Sequence, residues 1–173
     1  MTPHPYAPYS DGGGGASNTA IGITLCPAMR VGLTSGFRFG GGLCMAFFGD
    51  HWGFGMDVFV LGGGVAAGVT EGSAHVSALY RFNAEPRAID GAFLRAGPEF
   101  RTGFVHGPNR EENWHLGVEI GAGYDMRFGA LLWRVIELRP YAAIRVDGQP
   151  TADDRFGNKY DVGLLVTSGI GFN

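Results

Sequence analysis

Lysine is nearly absent: Lys159 is the only one in 173 residues. Charged residues make up 17% of the chain, whereas a water-facing surface is normally about 25–35% Lys, Arg, Glu and Asp. The shortage implies that much of the surface does not face water. The net charge of −3 offers no basic excess for phosphates, so no nucleic-acid partner is expected. No apolar run approaches the roughly 20 residues of a membrane helix. The longest candidate, VFVLGGGVAAGV, is broken by glycines. Cysteine occurs only at Cys26 and Cys44. His4, His51, His75, His106 and His115 lack metal-ligand spacing. Asp153, Asp154 and Asn158 lack the spacing of a calcium loop. No Gly-Lys-Ser/Thr follows the glycine runs at 12–15 and 40–42. No metal or cofactor is therefore expected.

Glycine, by contrast, is abundant at 31 residues, and the remaining residues alternate. From Trp114 to Arg127, Trp, Leu, Val, Ile, Ala, Tyr and Met at even positions face His115, Gly117, Glu119, Gly121, Gly123, Asp125 and Arg127 at odd ones. A period of two is the pattern of a β-strand, whose successive side chains point to opposite faces. The same pattern runs through AIGITLCPAMRVGL, FRFGGGLCMAF, GFGMDVFVLG, AHVSALYRF, AFLRAGPEFRTGF, IELRPYAAIRV and YDVGLLVTSGIGF. About eight strands joined as consecutive hairpins are expected. Thr34–Gly36 would form the first turn, with Gly36 available for positive φ. The longest polar connections, HGPNREEN and DGQPTADDRFGNK, would share one end with that turn. Residues 1–20, rich in Pro and Gly, read as a flexible tail before a barrel at 21–173. The tail has neither a basic start nor the apolar stretch of a secretory signal. An exported chain whose signal lies elsewhere and a cytoplasmic chain with a loose tail both fit it.

Three arguments turn the apolar face outward. An eight-stranded barrel has an interior just wide enough for side chains, so Trp, Tyr and Phe suit the outer circumference and glycine the crowded inside. A glycine-rich face in water would weaken its strands. Finally, the polar face carries both signs. Arg95, Arg101, Arg139 and Arg145 share it with Glu99, Glu119, Asp125, Glu137 and Asp161, alongside Arg30, Arg38, Arg81, Arg127 and Asp57. Arginine suits confined, bidentate pairs with carboxylates, so an internal ion-pair network and a plugged lumen are expected. Pro27, Pro98 and Pro140 fall inside strands, where bulges or strand ends are expected.

With its large apolar residues outward, the stretch from Ile21 to Phe172 resembles the eight-stranded outer-membrane barrels of Gram-negative bacteria, the family of the OmpA membrane domain and OmpX. YDVGLLVTSGIGF is similar to that family's C-terminal insertion signal, although Asn173 follows Phe172 here. The resemblance implies an all-β, eight-stranded, antiparallel, up-and-down transmembrane β-barrel in the bacterial outer membrane. Membrane lipid would surround it. A non-enzymatic structural or adhesive role would fall to loops that meet an extracellular protein or surface ligand.

Two further readings stay open. His75 and Ser77 lie two apart on one strand face and could pair as base and nucleophile. The outer-membrane lipid A deacylases carry such a His-x-Ser pair, followed by an asparagine where this chain has Ala78. In the register above the pair faces the lumen. The other reading is a soluble, lipocalin-like barrel holding a small apolar ligand. Lastly, a hairpin closed by Leu33 and Phe37 would set Cys26 directly opposite Cys44 on the lumen face. Opposed Cβ atoms lie about 4.5–5.5 Å apart, close to disulfide geometry, and the periplasm would oxidise the pair.

Overall fold

The computed structural model describes residues 20–63, 69–83, 90–105, 112–147 and 159–172. The alternating segments become eight strands: β1 (Ala20–Gly32), β2 (Gly36–Phe48), β3 (Trp52–Gly62), β4 (Val69–Arg81), β5 (Gly91–Val105), β6 (Glu112–Phe128), β7 (Leu131–Arg145) and β8 (Tyr160–Phe172). Each pairs antiparallel with its sequence neighbours, and β8 pairs with β1 to close the barrel. Closure leaves no free sheet edge. The short connections after β2 and β6 lie at the end that carries both termini, here the terminal end. The β1–β2 turn lies at the other, the loop end, with the connections after β3, β5 and β7. Residues 1–19 of the tail, most of both long polar loops, and Asp153, Asp154 and Asn158 lie outside the described residues, whereas Ala20 already belongs to β1.

The apolar face is outside. Every apolar residue that alternates along β6 from Trp114 to Met126 is exposed, whereas His115, Glu119 and Asp125 are buried. The lumen takes its bulk from a few rings, and glycines make room for them. A methyl group on Gly53 would lie 2.5 Å from the Phe48 ring, one on Gly42 2.5 Å from Phe59, and one on Gly123 2.5 Å from Phe93. We expect Gly123→Ala to cost about 1–3 kcal/mol through overpacking, seen as a lowered denaturation midpoint. No change would mean that Phe93 has room to turn away.

Two expectations about register are corrected. The first hairpin is closed by Gly32 and Gly36, not by Leu33 and Phe37, with Gly36 at φ 74°. A left-handed glycine after a turn is the standard end of a three-residue hairpin loop. The pairing therefore differs by two residues from the expected one: Cys26 faces Gly42, and Cys44 faces Thr24. The expected Cys26–Cys44 disulfide is not formed. Both are free, buried thiols, diagonal rather than opposed, and both belong to an apolar cluster on the lumen wall with Ala28, Phe59, Leu61 and Leu165.

The prolines are the second correction. Pairing of β1 with β8, β4 with β5, and β6 with β7 lapses for two residues at Pro27, Pro98 and Pro140, then resumes in the same register. Each ring faces outward, and its missing N–H removes ladder bonds on one side only. The actual register shifts lie elsewhere, at Tyr124/Asp125 in β6 and Arg134/Glu137 in β7.

Candidate functional site: the charged lumen

Among the described residues, the strands aim seven arginines (Arg30, Arg38, Arg81, Arg95, Arg101, Arg134, Arg139) and seven acids (Asp57, Glu71, Glu99, Glu119, Asp125, Glu137, Asp161) into the barrel, all at most 4% exposed. Equal numbers matter, because an unpaired buried charge is strongly unfavourable. Midway along the barrel, Arg95 reaches Asp57 at 2.6 Å, Glu119 at 3.2 Å and Glu137 at 3.1 Å. Arg139 reaches Asp57 at 2.7 Å and Glu137 at 2.7 Å. Arg134 joins Glu137 at 3.1 Å and forks onto both oxygens of Asp125. Thr167 donates to Glu137 at 3.1 Å.

A second group lies toward the loop end. Arg30 bridges Glu71 and Glu99, and Arg38 adds a bond to Glu71. Arg101 holds Asp161 at 2.9 Å, which also accepts from Ser35 at 2.8 Å and Tyr141 at 3.0 Å. That knot ties the first turn to β7 and β8. Five guanidiniums also lie over lumen rings, such as Arg30 at 4.7 Å from the Tyr141 centroid and Arg134 at 4.9 Å from that of Phe93. Arginine tolerates such confinement because its flat cation stacks on a ring while its edge bonds carboxylates.

Most of the expected network is therefore brought together: Arg95, Glu119, Asp125, Glu137 and Arg139 in the central group, and Glu99, Arg101 and Asp161 in the other. Arg145 is not. It sits at the loop-end rim, paired with Asp147. Arg127 is exposed rather than internal. Sequence reasoning missed Glu71 and Arg134. Glu71 shares its parity with Ser73 and His75 and could have been found by extending that strand. Arg134 has the parity of outward residues and turns inward only because the β7 bulge changes phase.

Toward the terminal end Ala20, Ala46, Phe48, Leu79, Phe93 and Leu132 form a buried apolar cluster. An ion crossing the barrel would have to displace paired guanidiniums and then this cluster. We expect no steady conductance from the pure protein in planar bilayers. Large, stable single-channel steps would contradict a sealed lumen.

His75 and Ser77 are not hydrogen-bonded to each other. Ser77 donates to Glu119 at 3.2 Å and accepts from Arg95. His75 instead places Nε2 3.0 Å from Ser73 Oγ and Nδ1 2.9 Å from Glu119. A carboxylate only accepts, so Nδ1 carries the proton and donates. Ser73, His75 and Glu119 thus have the connectivity of a nucleophile–base–orienter triad. A working triad also needs room for a reacting atom beside the hydroxyl. Here Ser73, His75 and Glu119 are at most 4% exposed, Phe59 closes edge-on over the imidazole at 5.5 Å, and Glu119 is already held by Arg95.

The outer wall has its own order. Trp52, Tyr80, Tyr124 and Trp133 lie toward the terminal ends of their strands, and Trp114 and Tyr160 toward the loop ends. Between them the outward residues are apolar, including Ile23, Leu25, Val58, Val76, Val118, Ile120 and Leu138. Trp114 and Tyr124 are ten residues apart on β6. At a rise of about 3.3 Å per residue and a tilt of about 40°, that interval projects to roughly 25 Å along the barrel axis.

No family model matches the sequence, and no curated protein matches it. Among solved structures, the chain is similar to the crystal structure of Neisserial surface protein A (NspA), with a TM-score of 0.55 at 15% identity over 92% of this chain and 99% of that one. The shared feature is the fold: an all-β, closed, antiparallel barrel of eight strands.

Proposed function

We propose that this chain is an integral protein of the bacterial outer membrane, a sealed, non-enzymatic barrel that presents its loop end as a structural or adhesive contact surface. The observation that carries the reading is the outer wall. An apolar band roughly 25 Å tall between girdles of Trp and Tyr is what a membrane barrel presents to lipid. Water would leave this wall as a contiguous apolar surface far larger than a soluble monomer shows. The likeness to NspA supports the reading, since that protein's name places it at a neisserial surface. The polar loop end suits an extracellular protein or surface ligand as partner.

A soluble, lipocalin-like function would need an apolar interior, and this interior is charged. The hydrolase reading has the Ser73–His75–Glu119 connectivity in its favour, but that group points away from lipid. We expect Ser73→Ala and His75→Ala to leave the acyl composition of lipid A unchanged in expressing cells. Altered acylation that depends on His75 would support the enzyme instead.

The membrane reading is tested by fractionation and gel mobility. The protein should partition with membranes, require detergent or lipid to fold, and migrate differently before and after boiling. A wild-type chain fully soluble as a monomer in plain buffer would overturn it.

A further inference from the structure

The outer wall is not uniformly convex. Toward the loop end a groove of about 450 Å³ runs over β6, β7 and β8, with Pro98 of β5 at its edge. Its shape follows from register: Ala142 lies between Val118 and Val162, and Ile144 between Leu116 and Tyr160. A methyl group flanked by branched side chains on both neighbouring strands leaves a trough. The trough leads up to Tyr160, which lines it. The Lys159 ammonium lies 5.7 Å from the Tyr160 ring centroid. Lys159 is exposed, and it is the only lysine of the chain. Its backbone carbonyl accepts from the Arg145 N–H at 2.9 Å, which fixes its place at the rim. Among the described residues, the acids nearest in sequence are engaged elsewhere: Asp161 points inward to Arg101, and Asp147 pairs with Arg145.

We propose that this groove seats an acyl chain of a phosphate-bearing lipid, whose headgroup bonds the Lys159 ammonium. The proposal rests on the membrane reading above and adds a lipid class to it. The apolar trough matches a hydrocarbon tail, and the cation at its mouth matches a phosphate, which accepts charge-assisted hydrogen bonds. A zwitterionic headgroup carries its own cation and gains less from Lys159. A second copy of the barrel would gain nothing from it, because the matching face is apolar.

The test uses the full chain, folded in detergent and checked by heat-modifiable mobility. Dioleoyl phosphatidylglycerol and dioleoyl phosphatidylcholine are added in turn, and bound lipid is read by native mass spectrometry. One basic side chain at a lipid surface corresponds to about a fivefold preference. The wild type should retain phosphatidylglycerol by that factor over phosphatidylcholine. Lys159→Ala should abolish the preference without changing mobility. Ala142→Trp, which fills the trough from the lipid side, should reduce retention of both lipids. Equal retention of the two lipids by the wild type would overturn the proposal. So would wild-type retention by Ala142→Trp, or a dimer in place of a lipid adduct. Failure of the membrane reading itself would look different: a chain soluble without detergent and with no heat-modifiable band.

Discussion

Glu137→Ala should destabilise the barrel by about 3–5 kcal/mol, the range for removing one partner from a buried charge cluster. Glu137 is fully buried and accepts from Arg95, Arg134 and Arg139, with Thr167 adding a fourth donor. None of the three guanidiniums can lose its proton to relieve the imbalance. Arg139 retains Asp57, and Arg134 retains Asp125. The lumen as a whole, where seven buried arginines balance seven buried acids among the described residues, is nevertheless left one positive charge in excess. Glu137→Gln should cost less than the alanine variant, because its amide oxygen still accepts. Removing Arg139 together with Glu137 should cost less than the two single losses added, since the double variant restores the charge balance. The measurement is urea unfolding of the protein refolded into lipid vesicles. A lower midpoint with an unchanged slope reports lost stability. A loss below about 1 kcal/mol, the scale of an exposed ion pair, would mean that the central group is hydrated.

Period-two alternation made the strands and the inward face legible, because burial on one side of a closed sheet fixes each side chain's direction. It carried the reading through Trp114–Met126, where the burial pattern follows the sequence residue by residue until the last turn. It failed where backbone geometry, not side-chain chemistry, decides. Leu33 and Phe37 are plausible hairpin-closing residues by hydropathy, but the αL position belongs to Gly36, and closure falls at Gly32. The two-residue difference moved the cysteines from opposed to diagonal. Arg134 is hidden from alternation by a bulge, since one extra residue reverses the parity of its neighbours along the strand. The prolines misled in the other direction. Their place within strands points to bulges or strand ends at Pro27, Pro98 and Pro140, yet each ring fits the outer face with only a local lapse in pairing. The choice of Ser77 over Ser73 as the partner of His75 could not be made from sequence. Both lie two residues from His75 on the same face, and the Arg95 guanidinium on β5 decides by occupying Ser77.

Val118→Arg should cost about 2–4 kcal/mol when the protein is folded in a bilayer, and the same substitution at Trp114 about 0–1 kcal/mol. Both positions are outward on β6 and differ in depth. Val118 is 64% exposed in the middle of the apolar band, and Trp114 sits in the loop-end girdle. An arginine at Val118 must carry its guanidinium through hydrocarbon or bend toward the interface, whereas one at Trp114 is already there. The difference between the two variants separates lipid from water as the solvent of this wall. In water, an arginine at an exposed strand position costs little at either depth, because surface substitutions usually stay within about 0.5 kcal/mol. Neither substitution touches the lumen, so the ion-pair groups serve as an internal control: folded variants should keep the heat-modifiable mobility of the wild type. Urea midpoints in the same vesicles give both numbers. Equal, small losses at Val118 and Trp114 would exclude lipid as the solvent of this wall. A steep loss confined to Val118 would place the middle of the bilayer at that level of β6.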